Sequence, residues 1–334
     1  MMAAFARCVA GGKIGGRKVL LESGDQRDEV LVVRAGELLI HGLRGLDPEG
    51  LVYFGDGHAE LGELLEIFLL RVADEVGLPL AGFGGGRKSV LPGISGRETI
   101  MKNHNLALNP GIGNGSNPEV RSANMTEANP VHADMMEACA MAHPTFLLNV
   151  VVDDDQKIIS AFAGNWRTAH QAACDLVDAM YGVTIHERTP MVIASAGGYP
   201  KDLNFYQTIK TLCNALAAVK GGGTIILVTR SEEGFGSEDC RRLIADYPTM
   251  LEREKALRAD FSIGAFIGYL FAENAETHHM IAVTGIPQEE FGTAKVHVVS
   301  TLDEALELAR KLNGGRDLRT TLLPHGANTL PKLV

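Results

Sequence analysis

The stretch MVIASAGGYPKDLNFYQTIKTLCNALAAVKGGGTIILVT, residues 191–229, decides the fold class of this chain. It begins with a short apolar run that is typical of a buried strand, and it ends with a second such run, TIILVT. Between them, LNFYQTIKTLCNALAAVK has helical spacing, and the glycines 221–223 are expected to close that helix. A strand, a helix and a strand in this order predict a βαβ unit with a parallel sheet.

The same alternation of strands and helices extends along the chain on both sides of this unit. Upstream, two apolar runs joined by the turn DDDQ predict a hairpin over 145–164, and 167–182 has the spacing of a helix. The chain is therefore predicted to be α/β, with mixed, largely parallel sheets. Further predictions are helices over 61–77, 263–276 and 302–312, a loop entering a helix over 124–142, and strands over 29–43, 51–56, 279–285 and 294–301.

The length of 334 residues is sufficient for two domains. The segment VTIHERTP, residues 183–190, is polar, ends in proline and precedes a new strand, so we place the domain boundary there. The prediction is two α/β domains, 1–187 and 188–334, with no recognisable pattern in residues 1–35. The tail of the second domain is expected to pack back on the first.

Composition excludes several classes of partner. The formal net charge of −10 argues against nucleic acid, because binding to a phosphate backbone needs clustered Lys and Arg in excess. No apolar run approaches the roughly 20 residues that span a membrane, and the first residues make a poor secretory signal. The five cysteines contain no C-x-x-C pair, which predicts reduced thiols in a cytoplasmic protein.

The octapeptide GFGGGRKS, residues 82–89, comes close to two phosphate-binding motifs but matches neither. A Walker A loop needs a glycine directly before its Lys-Ser pair, and a dinucleotide fingerprint that starts at Gly82 needs a glycine at the same position. Arg87 occupies that position. Two interpretations stay open: an anion site made of backbone N–H groups, and a structural turn with a solvated Arg-Lys pair.

Polar residues suited to a ligand occur at two further places. His104 lies on a predicted helix, sixteen residues after Lys88, and is either a ligand or an ordinary surface histidine. Asn204 is expected to cap the helix that follows the strand at 191–198. Gln207 and Lys210 share a face of that helix, at the carboxyl end of a strand, where open α/β sheets bind ligands. The alternative is an amphipathic helix with a polar outer face.

Several long motifs together resemble one family, the nickel-dependent lactate racemases and their 2-hydroxyacid racemase relatives. The motifs are AGFGGGRKSVLPGISGRETIMKNH, NPVHADM, VVVDDDQKIISAFAG and GGYPKDLNFYQTIK. The resemblance implies a nickel pincer nucleotide as cofactor, in a cleft between the two domains. It assigns Lys88 to the lysine that can be tethered to this nucleotide through a thioamide, and His104 to the nickel ligand. Further cofactor contacts that it implies are Gly85, Gly86, Arg87, Tyr206, Gln207 and Lys210.

The resemblance also implies a reaction. The family is an isomerase family that moves a hydride reversibly between C2 of a small 2-hydroxyacid, such as lactate, and the cofactor. A histidine on each side of the substrate takes the hydroxyl proton as general base, and a cation holds the carboxylate. The implied partners are the 2-hydroxyacid and the proteins that make the cofactor.

The sequence departs from the family at its acid/base residues. Leu78 stands ten residues before Lys88, where the family has a histidine, and the family's Gly-Phe-His-Arg-Pro and Asp-His-Thr-Arg-Pro motifs do not occur. We therefore expect an N-terminally truncated or altered member that keeps the cofactor-attachment residues and has no assigned catalytic residue. The alternatives are a non-catalytic protein that binds a nucleotide or a small anion, and a damaged chain that does not fold stably.

Overall fold

The computed structural model describes residues 80–153 and 157–334, together with the backbone of two strands nearer the N-terminus. Within this part of the chain, no helix is long and apolar enough to cross a bilayer. Short 3-10 turns lie at Gly86–Ser89 and Gln288–Phe291. In chain order the remaining elements are β1 (Val30–Arg34), β2 (Phe68–Ala73), α1 (Arg97–Asn105), α2 (Pro130–Met141), β3 (Phe146–Val152), β4 (Ile158–Gly164), α3 (Trp166–Tyr181), β5 (Gly182–Ile185), β6 (Thr189–Ser195), α4 (Phe205–Ala218), β7 (Val219–Val228), α5 (Glu238–Ala245), α6 (Met250–Ala259), α7 (Ile263–Thr277), β8 (His279–Val283), β9 (Val296–Val299), α8 (Leu302–Leu312), β10 (Thr320–Leu323) and β11 (Leu330–Leu333).

These elements form two compact units that interleave along the chain. The first unit contains β1 and β2 together with Gly84–Ser95 and Met135–Ala179. The second unit contains residues 80–83, Gly96–Asp134 and Met180–Val334. The glycine-rich loop and the helix α1 that follows it therefore belong to different units, although only a few residues separate them in sequence.

The first unit is built on a four-stranded mixed sheet with the strand order β1-β4-β3-β2. The predicted hairpin is confirmed, because β3 and β4 pair antiparallel; β1 adds antiparallel to β4, and β2 adds parallel to β3. Helix α3 follows β4 and confirms the helix predicted over 167–182. Its buried residues recur every three to four positions, as an amphipathic helix requires: Trp166, Ala169, His170, Ala173, Cys174 and Val177.

The second unit is built on a five-stranded, wholly parallel sheet with the strand order β10-β6-β7-β8-β9. Ile226 and Ile281 pack in one cluster with Ala305 of α8. Their strand neighbours Ile225 and Met280 are buried as well. Because successive side chains of a strand point to opposite faces, both faces of this sheet are covered. The βαβ unit predicted at 191–229 is confirmed as β6-α4-β7.

The predicted end of α4 is wrong. The glycines 221–223 do not close the helix, which ends at Ala218, and they lie inside β7. The pairing of β7 with β6 is irregular there, because Val219 lies opposite Thr189 whereas Thr224 lies opposite Met191. Glycines are suited to such a bulged stretch of strand, where the backbone departs from regular pairing.

The helix predicted over 61–77 is wrong at residues 68–73. That apolar run, FLLRVA, is the strand β2, which pairs with β3 along six residues. A short apolar run is compatible with either a buried helix or a buried strand, and here the available partner strand decides. The strand predicted from residue 29 is confirmed for β1, and the strand predicted at 51–56 lies outside the described residues.

Candidate functional site

The loop at residues 84–89 has a backbone that glycine adopts easily and other residues do not. The φ angle is +73° at Gly85 and +53° at Gly86, in the left-handed region. A Cβ on Gly86 would lie 2.4 Å from ring carbons of His170, and a Cβ on Gly85 would lie 2.7 Å from Asn149 Oδ1. Both the backbone angle and the close packing therefore require glycine at these two positions.

Two buried side chains of the first unit hold this loop. Asn149, in the middle of β3, accepts a hydrogen bond from the Gly86 N–H at 3.2 Å. His170, on α3, places Nε2 2.9 Å from the Gly84 carbonyl oxygen and 3.1 Å from Arg87 Nη1. Hydrogen-bonding side chains of β3 and of α3 thus hold the loop.

Arg87 and Lys88 are buried cations, with 0% and 4% of their surface exposed. They are therefore not the solvated Arg-Lys pair of the structural-turn interpretation. Burial lowers the pKa of Arg87 to about 10, against a smaller opposing effect of Cys174 and Cys139. The guanidinium keeps its charge at neutral pH, and a buried charge is costly unless other groups stabilise it. Arg87 Nη1 lies 3.1 Å from His170 Nε2, so the buried guanidinium is in contact with a polar group of α3.

The thiols near this loop are not nucleophiles. Burial raises the pKa of Cys174 to about 12 and that of Cys139 to about 11, so both stay protonated at neutral pH. All four cysteines in the described part of the chain are free thiols.

His104 lies near the end of α1 with 6% of its surface exposed. Its Nδ1 is 2.9 Å from the Ile100 carbonyl oxygen. Because a carbonyl oxygen only accepts, Nδ1 carries a proton, and in the neutral ring the lone pair is then on Nε2, which is the form in which histidine binds metals. The adjacent Asn103 donates from Nδ2 to the Val131 carbonyl at 3.1 Å and to Asp134 Oδ2 at 2.8 Å, so that α1 is fixed against the start of α2.

The segment after α1 is fastened to the helices α6 and α7 by two carboxylates. Glu254 Oε2 accepts hydrogen bonds from the N–H groups of Gly113 at 3.0 Å and Gly115 at 3.3 Å. Glu273 Oε1 accepts from the Ser116 N–H at 2.9 Å, and its Oε2 accepts from the Ser116 hydroxyl. Hydrogen bonds to an ionised acceptor are stronger than neutral ones. The chain that follows His104 is thereby held on the C-terminal part of the second unit.

Replacing Glu273 with alanine is expected to release this segment. The change leaves the Ser116 N–H and hydroxyl without their acceptors, which costs about 2 kcal/mol of stability. Hydrogen exchange of the backbone amides at 113–117 should therefore speed up. The matched control is Glu276→Ala on the same helix, which removes an ion pair with Lys295 at 2.5 Å and should change stability by less than about 1 kcal/mol. Unchanged exchange at 113–117 in the Glu273 variant would contradict the prediction.

The first two turns of α4 carry three residues of the predicted site. Tyr206, Gln207 and Lys210 are half-buried. Asn204 Oδ1 accepts from the Gln207 N–H at 3.1 Å, which confirms the predicted cap. The ring of Phe205 is fully buried and anchors the start of the helix. It packs edge-on against three other rings: Phe235, Phe271 and Phe291.

Helix α4 begins at the carboxyl edge of the parallel sheet, and hydroxyl groups follow the strands there. The Gly197 N–H, just after β6, donates to Ser195 Oγ at 3.1 Å. Thr208 Oγ1 of α4 lies 2.6 Å from Thr229 Oγ1, which lies just after β7 and is 2.9 Å from Ser231 Oγ. This edge is where open α/β sheets bind their ligands.

An open depression of about 500 Å³ lies elsewhere in the second unit. It is lined by residues 233–238 with Arg241 and Glu290, and the lining includes three glutamates. None of the predicted site residues lines it. Its negative charge disfavours an anionic substrate, so we do not assign the site to it.

The residues of the predicted site lie in two groups. Gly85, Gly86, Arg87 and Lys88 come together in the first unit, whereas His104, Tyr206, Gln207 and Lys210 belong to the second unit. Leu78 lies outside the described residues. Asn149 and His170, which hold the loop, are not among the predicted site residues. A polar residue in the apolar run FLLNVVV and a histidine on the apolar face of α3 are the signals that point to them.

The fold and the site define a two-domain α/β protein with a buried, lysine-bearing glycine loop and a buried histidine on the helix that follows it. Residues 78–115 match the family model of the lactate racemase N-terminal domain, and residues 185–330 match that of the lactate racemase C-terminal domain. The chain belongs to the lactate racemase family.

Known relatives agree with this assignment. The chain is 36% identical over 257 residues to the lactate racemase of Lactiplantibacillus plantarum and 34% identical over 235 residues to that of Thermoanaerobacterium thermosaccharolyticum. The matches cover 75% and 66% of this chain but 58% and 53% of the relatives, so the chain spans little more than half the length of these curated relatives. The solved structure of the T. thermosaccharolyticum lactate racemase apoprotein is similar with a TM-score of 0.70 at 31% identity, covering 79% of this chain and 63% of that one.

A more distant solved structure shares the fold alone. It is a protein of Thermotoga maritima, with a TM-score of 0.55 at 16% identity, and the match covers 80% of this chain and 67% of that chain.

Proposed function

We propose that this chain holds a nickel pincer nucleotide and, with it, interconverts the enantiomers of a lactate-type 2-hydroxyacid in the cytoplasm. The observation that carries the proposal is the loop at 84–89, which places Lys88 inside the protein with 4% of its surface exposed. Membership of the lactate racemase family supports the reaction class. The proteins that make and attach the nucleotide are the proposed partners.

The described residues fit such a group in three respects. A thioamide link to Lys88 is neutral, which suits a side chain with 4% of its surface exposed. Gly85 and Gly86 let the loop pack directly against Asn149 and His170, which fixes the backbone that carries Lys88. In its neutral form, with the proton on Nδ1, His104 would bind a metal through Nε2, and imidazole is a suitable ligand for nickel. His104 would thus be the residue of this chain that holds the nickel.

The chemistry then divides between the nucleotide and the chain. The nucleotide, when bound, would supply the hydride-acceptor chemistry for C2 of the substrate. Lys88 holds the nucleotide on the loop, and the hydrogen bond from His104 Nδ1 to Ile100 sets the orientation of the imidazole. Lys210, a half-buried cation at the sheet edge, binds the substrate carboxylate. Tyr206 and Gln207 contact the nucleotide or the substrate from the same helix.

This chain lacks a predicted general base for the hydroxyl proton of the substrate. Leu78 stands where the family has a histidine, and its side chain has no atom that accepts a proton. General acid–base catalysis contributes roughly 10²- to 10⁴-fold to a rate. We therefore expect racemisation by this chain to be slower by about that factor than by a relative that has the histidine.

The proposed function is tested by producing the chain together with the cofactor-making proteins. Intact-mass and peptide-mass measurements should show an added mass on Lys88, with stoichiometric nickel by elemental analysis. Lys88→Ala should lose the added mass, and His104→Ala should keep it but lose nickel. The control is Lys102→Ala, an exposed lysine of α1 paired with Glu98, which should change neither.

Each result of this experiment has a definite meaning. An unmodified Lys88 without nickel overturns cofactor binding. Racemisation of lactate at the rate of a relative with the histidine overturns the role given to Leu78. A modified Lys88 with nickel but no isomerisation of any 2-hydroxyacid instead supports the second candidate, a non-catalytic protein that binds the nucleotide.

A further inference from the structure

The side-chain amide of Asn149 is a buried polar group to which the proposed function assigns no role. Asn149 lies in β3 and is 0% exposed. Its Oδ1 accepts the hydrogen bond from the Gly86 N–H, and its Nδ2 has no hydrogen-bond partner among the described residues. The two ends of the amide cannot be exchanged, because the Gly86 N–H needs an acceptor facing it. Nδ2 is therefore the end that remains to be satisfied.

An unsatisfied donor at this position has a substantial cost. A buried donor without an acceptor costs about 1–3 kcal/mol, and almost all buried polar groups in native proteins are paired. The run FLLNVVV is otherwise apolar, so an aliphatic residue would pack into this strand without that cost. The anchoring of Gly86 requires only an acceptor, which leaves the second half of the amide unexplained.

The position of Nδ2 indicates which group could accept its hydrogen bond. A Cβ on Gly85 would lie 2.8 Å from Nδ2 and 2.7 Å from Oδ1, so the amide faces the loop backbone at a place where the chain carries no side chain. Lys88 follows three residues later in the same loop, and both Arg87 and Lys88 are buried there. The donor thus faces the loop to which the group at Lys88 is attached. The Arg87 cation favours a group with electron-rich atoms.

We propose that Asn149 is a binding residue with two partners: Oδ1 holds the loop through Gly86, and Nδ2 donates to an acceptor atom, oxygen or sulfur, of the group bound at Lys88. This inference rests on the proposed function, and it adds a residue of β3 that lies outside the glycine-rich motif. One amide then fixes the position of the bound group relative to the loop, because both are hydrogen-bonded to the same strand.

Two substitutions separate the donor from the anchor. Asn149→Asp keeps an acceptor for the Gly86 N–H and replaces the donor with a second acceptor, whereas Asn149→Leu removes both. With the cofactor-making proteins present, the fraction of Asn149→Asp chains with the added mass on Lys88 should fall at least about tenfold, which is the effect of losing one such hydrogen bond. Without the nucleotide, Asn149→Asp should still melt cooperatively, and Asn149→Leu should melt at a lower temperature than the wild type.

The matched control is Asn214→Asp in the second unit. Asn214 is 2% exposed, and its Nδ2 donates to the Gly326 carbonyl at 2.8 Å. The same exchange of amide for carboxylate should destabilise the protein there without changing the fraction of modified Lys88. This control distinguishes an effect on the bound group from a general loss of stability.

The outcomes of the two tests are distinguishable. If wild-type Lys88 is modified and Asn149→Asp is modified to the same extent, Asn149 is only an anchor and the inference is overturned. If wild-type Lys88 is never modified, both the proposed function and this inference, which depends on it, are wrong.

If Asn149→Asp does not fold, the wild-type protein with ¹⁵N-labelled asparagine decides the question. The NH₂ resonances of Asn149, assigned by their nuclear Overhauser contact with the Gly86 amide proton, should move when the nucleotide is loaded. Resonances that stay in place would overturn the inference.

Discussion

Replacing Gly86 with alanine is expected to destabilise the protein by about 3 kcal/mol and to prevent modification of Lys88. The φ angle of +53° at Gly86 lies in the left-handed region, which costs a residue with a Cβ about 1–2 kcal/mol. The new Cβ would also lie 2.4 Å from the ring of His170, and overpacking of this kind costs about 1–3 kcal/mol. Either the loop or α3 must move, and the hydrogen bonds of the loop to Asn149 and His170 are lost with that movement.

The measurements are a thermal melt without the nucleotide and a peptide-mass measurement on Lys88 after loading. The control is Gly96→Ala at the cap of α1, where a Cβ meets no atom within 4 Å and φ is −67°. That variant should lose less than about 1 kcal/mol and keep the modification. A Gly86→Ala protein that melts with the wild type and carries modified Lys88 would show that the loop is not set by this contact.

Replacing Gly268 with alanine should lower the melting temperature by about 6–12 °C, which corresponds to about 3 kcal/mol. Helix propensity alone would favour alanine by about 1 kcal/mol, so the expected sign is opposite to that of the local effect. The reason is the packing of α7 on α5. A Cβ on Gly268 would lie 2.3 Å from the Cys240 carbonyl oxygen and 3.0 Å from its Cα, and these are backbone atoms that cannot rotate away.

The control for this change is Gly221→Ala in β7, where a Cβ meets nothing within 4 Å. It should shift the melting temperature by no more than a few degrees, as an unpacked surface substitution does. A stabilised Gly268→Ala protein would mean that α5 and α7 separate at little cost. The close contact of the two helices would then be irrelevant to stability.

Local patterns in the sequence predicted the elements whose signals come from residues close together along the chain. Apolar periodicity located β6, α4 and β7 and therefore the parallel sheet, and the turn DDDQ located the hairpin of β3 and β4. The cap at Asn204 was predictable because the capping residue and the amide that it accepts from are three positions apart. The same patterns gave wrong predictions for residues 68–73 and for the end of α4. Residues 68–73 form a strand because they pair with β3, and α4 ends early because the residues after it pair with β6.

The candidate site divides in the same way. Lys88 and His104 were found because both lie in one long motif that resembles the family, and their roles stay proposals. The burial of Arg87 and Lys88 was not predictable, since it comes from elements far along the chain. Asn149, 63 residues from Gly86, is one of the residues that hold the loop.

The sequence by itself therefore determined the class of fold, the family, and the stretch of chain on which the chemistry depends. Only the tertiary structure decided that the loop is buried, that Asn149 and His170 hold it, and that Glu254, 139 residues beyond Gly115, fastens the segment after His104. The physical reason is the range of the interactions. Helical and strand periodicity is written in neighbouring residues, whereas burial and hydrogen bonding at the site depend on residues that meet only when the chain has folded.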